Sequence, residues 1–255
     1  MIVDGRVIAE GVYARLPKKA LKLGIIVGEA SPVIDSFVKI KQRAAERLGV
    51  ELVREELPEG AATADAVAAV IALAAKTDGI IVQLPLPKQI DVEEVLAAIP
   101  PEKDVDGISA APMVRPPVAE AIREILEFAH IDAKGKKTVV VGSGRLVGKP
   151  SASLLKELGA SVRVLTHGDS LDALKDADIV ILGAGETGLV KPEHLKKGVI
   201  LIDAGTSETS GKIAGDAEAS CADVASIFTP VPGGVGPIAV AMIFKNLFVL
   251  AEKSH

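Results

Sequence analysis

The sequence predicts an α/β protein of two domains, each built on a parallel sheet with helices packed against it. Three observations carry this expectation. At 255 residues the chain is long for one compact domain of ~150 residues. Aromatic residues are only 2% of it, with no Trp, one Tyr (Tyr13) and five Phe, against 49% hydrophobic residues overall. The core is therefore filled by Ala, Val, Ile and Leu, which suits helices on a buried parallel sheet. Finally, short apolar runs alternate with longer amphipathic ones, and this strand-helix-strand rhythm restarts halfway along the chain.

Taken in order, Leu23 to Val27 predicts a strand. Ile34 to Leu48 follows as a helix, since Ile34, Phe37, Val38, Lys41, Ala45 and Leu48 fall on roughly one face at helical spacing. Glu51 to Leu57 reads as a strand, the Ala-rich stretch Ala62 to Lys76 as a helix, and Gly79 to Gln83 as a strand. Leu84-Pro85-Leu86-Pro87 cannot continue either element, because each proline lacks an N–H and restricts the residue before it. Asp91 is an N-cap for a helix reaching Ile99. A helix from Val118 to Phe128 then connects the domains.

Beyond it, Lys137 to Val141 is an apolar strand, and a glycine turn leads into an amphipathic helix through Leu158. Ser161 to Leu165, Ile179 to Leu182 and Val199 to Asp203 are further strands, each bounded by Gly or polar residues. Parallel strands with short crossovers imply a doubly wound sheet. The last helix, Pro237 to Glu252, has no strand after it and is long enough to pack back on the first domain. The expected division is 1–118 with 237–255 as one domain and 119–236 as the other.

Composition excludes several classes of function. Lys plus Arg (29) against Asp plus Glu (34) gives a net charge of −5, so no global basic field exists for a nucleic-acid backbone. The scarcity of aromatics removes a stacking platform for single strands. One cysteine, Cys221, cannot build a disulfide framework or a metal ligand set, which fits a reducing cytoplasm. The opening Met-Ile-Val-Asp-Gly-Arg lacks the basic segment and apolar run of a signal peptide. The apolar Gly236 to Phe244 run ends at Lys245, which favours a buried helix over a membrane span.

The clearest motif is Gly142-Ser143-Gly144-Arg145-Leu146-Val147-Gly148, between a strand and a helix. Small residues there let backbone N–H groups approach a pyrophosphate at a helix N-terminus, the arrangement of a Rossmann-type NAD(P)-binding domain. The spacing is G-x-G-x-x-x-G, so a tight turn without ligand is the competing reading. Two further small-residue turns, Gly183-Ala184-Gly185 and Ala204-Gly205-Thr206, end strands at the same edge. The second strand of this domain ends in Leu165-Thr166-His167-Gly168 with no acid directly at its tip. With Arg145 and Arg163 nearby in sequence, that leans toward NADP, although Asp169 follows closely and keeps NAD open. Candidate cofactor contacts are Gly142, Ser143, Gly144, Arg145, Val147, His167 and Thr206, with His167 equally readable as a loop residue.

In the first domain, Lys41 shares an otherwise apolar helix face with Phe37, one turn earlier. From spacing alone such a lysine more often buries its stem and keeps its head in water. Its company is Gln83 at a strand end, Asp104 and Asp106 in Lys103-Asp104-Val105-Asp106-Gly107, and a Pro-Gly-rich segment after Thr229. Taken together, Val82-Gln83-Leu84-Pro85-Leu86-Pro87, Pro101 to Gly107, Val147-Gly148-Lys149-Pro150 and Thr229-Pro230-Val231-Pro232-Gly233-Gly234-Val235-Gly236-Pro237 resemble the bifunctional methylenetetrahydrofolate dehydrogenase/methenyltetrahydrofolate cyclohydrolase family. The segments run in family order over essentially the whole chain, and the helix carrying Phe37 and Lys41 is similar to the family's Tyr-x-x-x-Lys helix.

The resemblance implies a first domain, completed by the last helix, that walls a cleft facing the Rossmann-type domain, and a homodimer formed through the latter. It implies hydride transfer from methylene-tetrahydrofolate to NADP, then hydration of the methenyl product to formyl-tetrahydrofolate. Lys41 would match the catalytic lysine, Gln83 would orient it, and Asp106 would bind the donor nitrogens of the pterin ring. Phe37, Val82, Leu84 and the segment Pro232, Gly233, Gly234, Val235, Gly236, Pro237 would contact the folate. There are departures. Phe37 stands where Tyr is usual and cannot hydrogen bond. Gly142-Ser143-Gly144 replaces Gly-Arg-Ser, Ala239 stands where Thr is common, and the stretch from Gly107 to Val118 is shorter. Three alternatives follow: a dehydrogenase with weak or absent hydrolase activity, a non-catalytic folate or nucleotide module, and an unrelated Rossmann oxidoreductase.

Overall fold

The computed structural model describes residues 1–28, 32–209 and 212–253. The chain divides into two compact units, one of residues 12–117 and 240–255, the other of 1–11 and 118–239. Helix α1 (Gly5–Arg15) begins in the second unit and ends in the first.

The first unit contains β1 (Lys22–Val27), α2 (Pro32–Leu48), β2 (Glu51–Glu56), α3 (Thr63–Ala74), β3 (Gly79–Gln83) and α4 (Val92–Ala97). Its three strands are parallel in the order β2-β1-β3. Alternate residues of a strand face opposite sides, and the central strand sorts its side chains accordingly. Leu23, Ile25 and Val27 pack with Val38, Ala45 and Leu48 of α2. Phe244, Leu247 and Phe248 join the same cluster from α7 (Val235–Lys253). Ile26 lies on the other face with Ile80, Val82, Val70, Leu73, Val95 and Leu96. The predicted cap on α4 is present, the Asp91 carboxylate accepting the Glu93 and Glu94 N–H groups at 2.9 and 3.3 Å.

The second unit contains α5 (Pro117–Phe128), β4 (Lys137–Val141), α6 (Gly148–Glu157), β5 (Ser161–Leu165), β6 (Ile179–Leu182) and β7 (Ile200–Asp203). A short antiparallel pair follows, β8 (Ser207–Thr209) with β9 (Lys212–Ala214), and then β10 (Ile227–Thr229). The five-stranded sheet is parallel throughout, in the order β10-β7-β6-β4-β5. Counted by its own strands this is 2-1-3-4-5, a doubly wound order whose crossovers reverse between the first and third strands, β4 and β6.

The α/β expectation holds, with additions. Helix α1, β10 and the β8-β9 pair were not expected. Each is short or glycine-bearing; β8 and β9 pair with each other, while α1 and β10 draw their partners from distant chain. Strand β10 pairs with β7, while the Val3 N–H donates to the Phe228 carbonyl and the Phe228 N–H to that of Met1, at 2.8 and 3.0 Å. The last helix starts at Val235 rather than Pro237, since a proline in the first turn removes an N–H that has no helical partner there. Residues 254 and 255 of the expected C-terminal segment lie outside the described residues. Among those described, α7 is the one helix long and apolar enough to cross a membrane. Its Ile238, Met242, Phe244, Leu247 and Leu250 are fully buried inside the protein, as a core helix requires.

Candidate active site

In the 2-1-3 sheet of the first unit, crossovers reverse between β1 and β3, and ligand crevices open at the carboxyl ends of such strands. Gln83 is the last residue of β3. Helix α2, which follows β1, carries Lys41, 8% exposed. The Lys41 Nζ donates to Gln83 Oε1 at 2.9 Å, and the Gln83 amide donates in turn to the Leu84 carbonyl at 2.9 Å, just before the cis Leu84-Pro85 peptide. Both ends of the Gln83 side chain are thereby committed. Burial pushes the Lys41 amine below its usual 10.5, with the negative charge of Asp106 acting the other way.

Asp106 is half-buried, and desolvation lifts its carboxyl from 3.8 to about 7; Lys41 opposes that rise and Asp104 adds to it. Asp104 is fully buried, one oxygen accepting the Ser109 N–H at 2.7 Å. The loop carrying both acids is pinned from several sides. Lys103 Nζ donates to the Ala74 and Thr77 carbonyls at the end of α3, where a cation suits the helix C-terminus. Asn246 of α7 donates to the Val105 and Arg115 carbonyls at 2.8 and 2.9 Å. Gly107 has φ +63, and a Cβ there would lie 2.7 Å from the Val114 carbonyl oxygen, so only glycine closes this turn without strain.

Phe37 lies one turn before Lys41 and is half-buried. Val82 points into the core beside α3 and α4, which leaves only its backbone for a ligand. Leu84 is half-buried against the same core. Thus Lys41, Gln83, Asp106, Phe37, Val82 and Leu84 all belong to the first unit, whereas Pro232 to Pro237 all belong to the second, in the segment that opens α7. In that segment Gly233 has φ +106, Gly236 faces open space, and the Gly234 N–H donates to the Pro230 carbonyl at 2.7 Å.

The glycine turn of the second unit lies at the switch point of its sheet. Gly142 has φ +100, and a Cβ on it would lie 2.3 Å from the Gly183 carbonyl oxygen; one on Gly148 would lie 2.1 Å from that of Gly142. Gly144 faces open space. Val147 fills the room left by the missing side chain of Gly183, where a Cβ would sit 2.3 Å from Val147 Cγ1. The Gly142 N–H is committed to the Leu165 carbonyl at 2.8 Å, while Ser143 and Gly144, ahead of the start of α6, are exposed. Crowding at the edges with an open, small-residue middle fits a dinucleotide pyrophosphate. His167 and Thr206 are exposed in the turns after β5 and β7.

Two buried acids that the sequence did not single out hold the neighbouring turns. Asp216 accepts the N–H groups of Ala184, Gly185 and Glu186 at 2.7, 3.2 and 2.8 Å. Asp203 accepts those of Gly205 and Ala217, both at 2.9 Å, while its own N–H donates to Thr229 Oγ1 at 2.7 Å. Burial raises both carboxyls, Asp203 to about 6, with these hydrogen bonds acting against the rise. The Ala184 to Glu186 amides are therefore spent internally, and of the three expected small-residue turns this one braces the site without offering donors. The sequence signal was an acid closing the apolar run Ile200-Leu201-Ile202-Asp203.

At the tip of β5 the structure alters the picture from sequence. Asp169 is four residues past Leu165, yet its carboxylate turns back to accept the Thr166 N–H at 2.7 Å and the Thr166 hydroxyl at 3.0 Å. A negative charge thus sits at a strand tip that appeared to lack one. Among the described residues no cluster of His, Cys, Asp and Glu is arranged to hold a metal ion.

Comparison with known proteins bears on both units. The family model for the tetrahydrofolate dehydrogenase/cyclohydrolase catalytic domain matches residues 3–106, and that for the NAD(P)-binding domain of the same family matches 116–255. The chain is 36% identical over 280 aligned positions to the bifunctional protein FolD of Magnetococcus marinus, covering 100% of this chain and 98% of that one. A solved N5,N10-methylenetetrahydrofolate dehydrogenase-cyclohydrolase from Trypanosoma brucei, complexed with NADP and an inhibitor, superposes with a TM-score of 0.91 at 31% identity, covering 100% of this chain and 98% of its own. The bifunctional FolD enzyme of Campylobacter jejuni gives a TM-score of 0.91 at 28% identity, with coverage of 100% and 99%.

Proposed function

The chain belongs to the tetrahydrofolate dehydrogenase/cyclohydrolase family, and from that premise we propose how its own residues divide the two reactions. It is a methylenetetrahydrofolate dehydrogenase that uses NADP, and a methenyltetrahydrofolate cyclohydrolase. The glycine turn would hold the pyrophosphate of the dinucleotide, whose nicotinamide would supply the hydride acceptor. The folate loses that hydride from its one-carbon bridge and becomes the methenyl cation. Water then adds: its oxygen bonds to the cationic carbon and one proton passes to the Lys41 amine; the adduct's hydroxyl then loses its remaining proton as that oxygen becomes the formyl carbonyl, a carbon–nitrogen bond breaks, and the freed nitrogen takes that proton.

The observation carrying this reading is the buried Lys41 held at 2.9 Å by Gln83. An ammonium cannot accept a proton, so burial favours the form the hydration step needs. Gln83 accepts one amine hydrogen and fixes where the lone pair points. Asp106 takes hydrogen bonds from the pterin ring and lies close enough to Lys41 to favour its ammonium after proton transfer. Phe37 supplies a flat apolar surface, and the contact between Lys41 and Gln83 is made without any hydroxyl from that position. Pro232 to Pro237 shape the folate contact, and Gly142, Ser143, Gly144, Arg145, Val147, His167 and Thr206 the cofactor's. A cytoplasmic homodimer is the proposed setting. Its lone cysteine, Cys221, is buried with the thiol pushed up to about 11, which keeps it protonated and unreactive.

The test follows reduced nicotinamide and methenyl-folate together by absorbance. Wild type produces reduced cofactor faster than methenyl-folate accumulates, after spontaneous hydrolysis is subtracted. Lys41→Met retains folate binding and loses hydrolysis by about 100-fold or more, the scale of a general base. Hydrolysis undiminished in Lys41→Met refutes the assignment.

A further inference from the structure

We propose that Asp169 decides the choice between NAD and NADP in this enzyme, by holding a carboxylate where the adenosine ribose binds, so that NAD is accepted as readily as its 2′-phosphorylated form. The inference rests on the second unit binding a dinucleotide at its glycine turn. In doubly wound sheets the ribose of the adenosine half lies at the tip of the strand beside the one that opens into the glycine turn. Here those strands are β5 and β4, in register from Lys137 against Ser161 to Val141 against Leu165. The hydrogen bond from Gly142 N–H to the Leu165 carbonyl ties the turn to that tip. Thr166, the next residue, is the group a ribose substituent would meet.

Both donors of Thr166 that face this point, its N–H and its hydroxyl, are already given to one oxygen of Asp169. A turn closed by the Asp169 N–H on the Thr166 carbonyl at 3.1 Å, with Gly168 at φ +91, makes the reversal local and self-contained. These same bonds keep the carboxyl below its usual range, so it carries its charge at any pH where the enzyme works. A ribose 2′-hydroxyl can donate to such an oxygen. A 2′-phosphate, carrying close to two negative charges, would meet a fixed negative charge and no free Thr166 donor. Arg163, exposed on β5, is the nearby cation that would otherwise draw a phosphate, and its charge already acts on Asp169. Arg145 stands in the glycine turn. Two unit charges ~5 Å apart in water, doubled for a phosphate and damped by salt, bias binding by roughly fivefold to tenfold.

The test titrates the full-length protein by calorimetry with 5′-AMP and with adenosine 2′,5′-bisphosphate, which differ only in the 2′-phosphate. Asp169→Asn is compared with wild type, since its amide oxygen still accepts the Thr166 N–H and preserves the turn. Wild type is expected to bind the two within about threefold, and kcat/KM for NAD and NADP to follow the same ratio. Asp169→Asn shifts the ratio toward the bisphosphate by about tenfold, and adding Arg163→Ala reverses most of that shift. Wild type favouring the bisphosphate by ~100-fold, or a ratio unchanged in Asp169→Asn, overturns the proposal while leaving the cofactor site intact. Binding of neither nucleotide overturns the dinucleotide reading itself, and the role of Asp169 with it.

Discussion

Replacing Asp106 with Asn removes an ionisable group whose carboxyl is lifted from 3.8 to about 7, chiefly by desolvation. Below pH ~4 this carboxyl is protonated in both folded and unfolded chains and contributes nothing to pH dependence. As pH rises from 3.8 to about 7, the unfolded chain gives up its proton while the folded protein keeps it, so wild-type stability falls across that window. Above it both forms are ionised and the full cost of the buried charge is present. The gap between 3.8 and about 7, at about 1.4 kcal/mol per tenfold change in proton affinity, amounts to about 4 kcal/mol. Part of this is returned in the variant, because Lys41 loses the carboxylate that favours its ammonium. Asp106→Asn is therefore expected to match wild type near pH 4 and to exceed it by about 2–4 kcal/mol near pH 8. Urea unfolding followed by far-UV circular dichroism is the suitable assay, since the chain has no Trp and one Tyr. A difference equal at both pH values, or a loss of stability near pH 8, refutes the reasoning.

Other outcomes follow from single contacts. Thr138 Oγ1 is buried on β4 with no hydrogen-bond partner, so Thr138→Val should raise the urea midpoint, by about 1 kcal/mol in stability, and any decrease contradicts the assignment of an unpaired hydroxyl. Asn246→Leu strips the donor from the Val105 and Arg115 carbonyls. It should cost about 1–3 kcal/mol in thermal unfolding and weaken folate binding by loosening the Asp106 loop. Gly142→Ala would place a Cβ 2.3 Å from the Gly183 oxygen at φ +100. Nucleotide affinity measured by calorimetry should fall at least about tenfold, with stability lower by more than ~1 kcal/mol. Phe37→Tyr should leave hydrolysis within about threefold of wild type, read from methenyl-folate loss; a large gain would mean that the missing hydroxyl limits the enzyme.

Chain-local physics explains what could be read in advance. Uninterrupted apolar runs such as Val139 to Val141 and Ile179 to Leu182 become buried parallel strands whatever lies around them. The Asp91 cap needs only the N–H groups two and three residues on, and Gly142-Ser143-Gly144 announces a tight turn between a strand and a helix. With these came the α/β class, the glycine turn and the family resemblance. Short elements such as β10, and helix α1 with its two glycines, carry too little local preference and form because distant residues pair with or cover them.

The chemistry of the site was decided later, by contacts between residues remote in sequence. Lys41 and Gln83 are 42 residues apart, and at helical spacing Lys41 was indistinguishable from a lysine with its head in water. Only burial, which penalises the charged amine, separates the two. Asp216 meets amides 30 to 32 residues earlier in the chain, so nothing local marks it as the brace of a turn. Asp169 shows the same limit over a shorter span, its position in sequence placing it beyond the strand tip and its hydrogen bonds returning it there. Sequence by itself determined the order of elements and the kinds of residue available, because periodicity and turn chemistry act between neighbours. Tertiary structure decided which of those residues lose water and which donors they meet, because desolvation and hydrogen bonding depend on what the fold brings within about 3 Å.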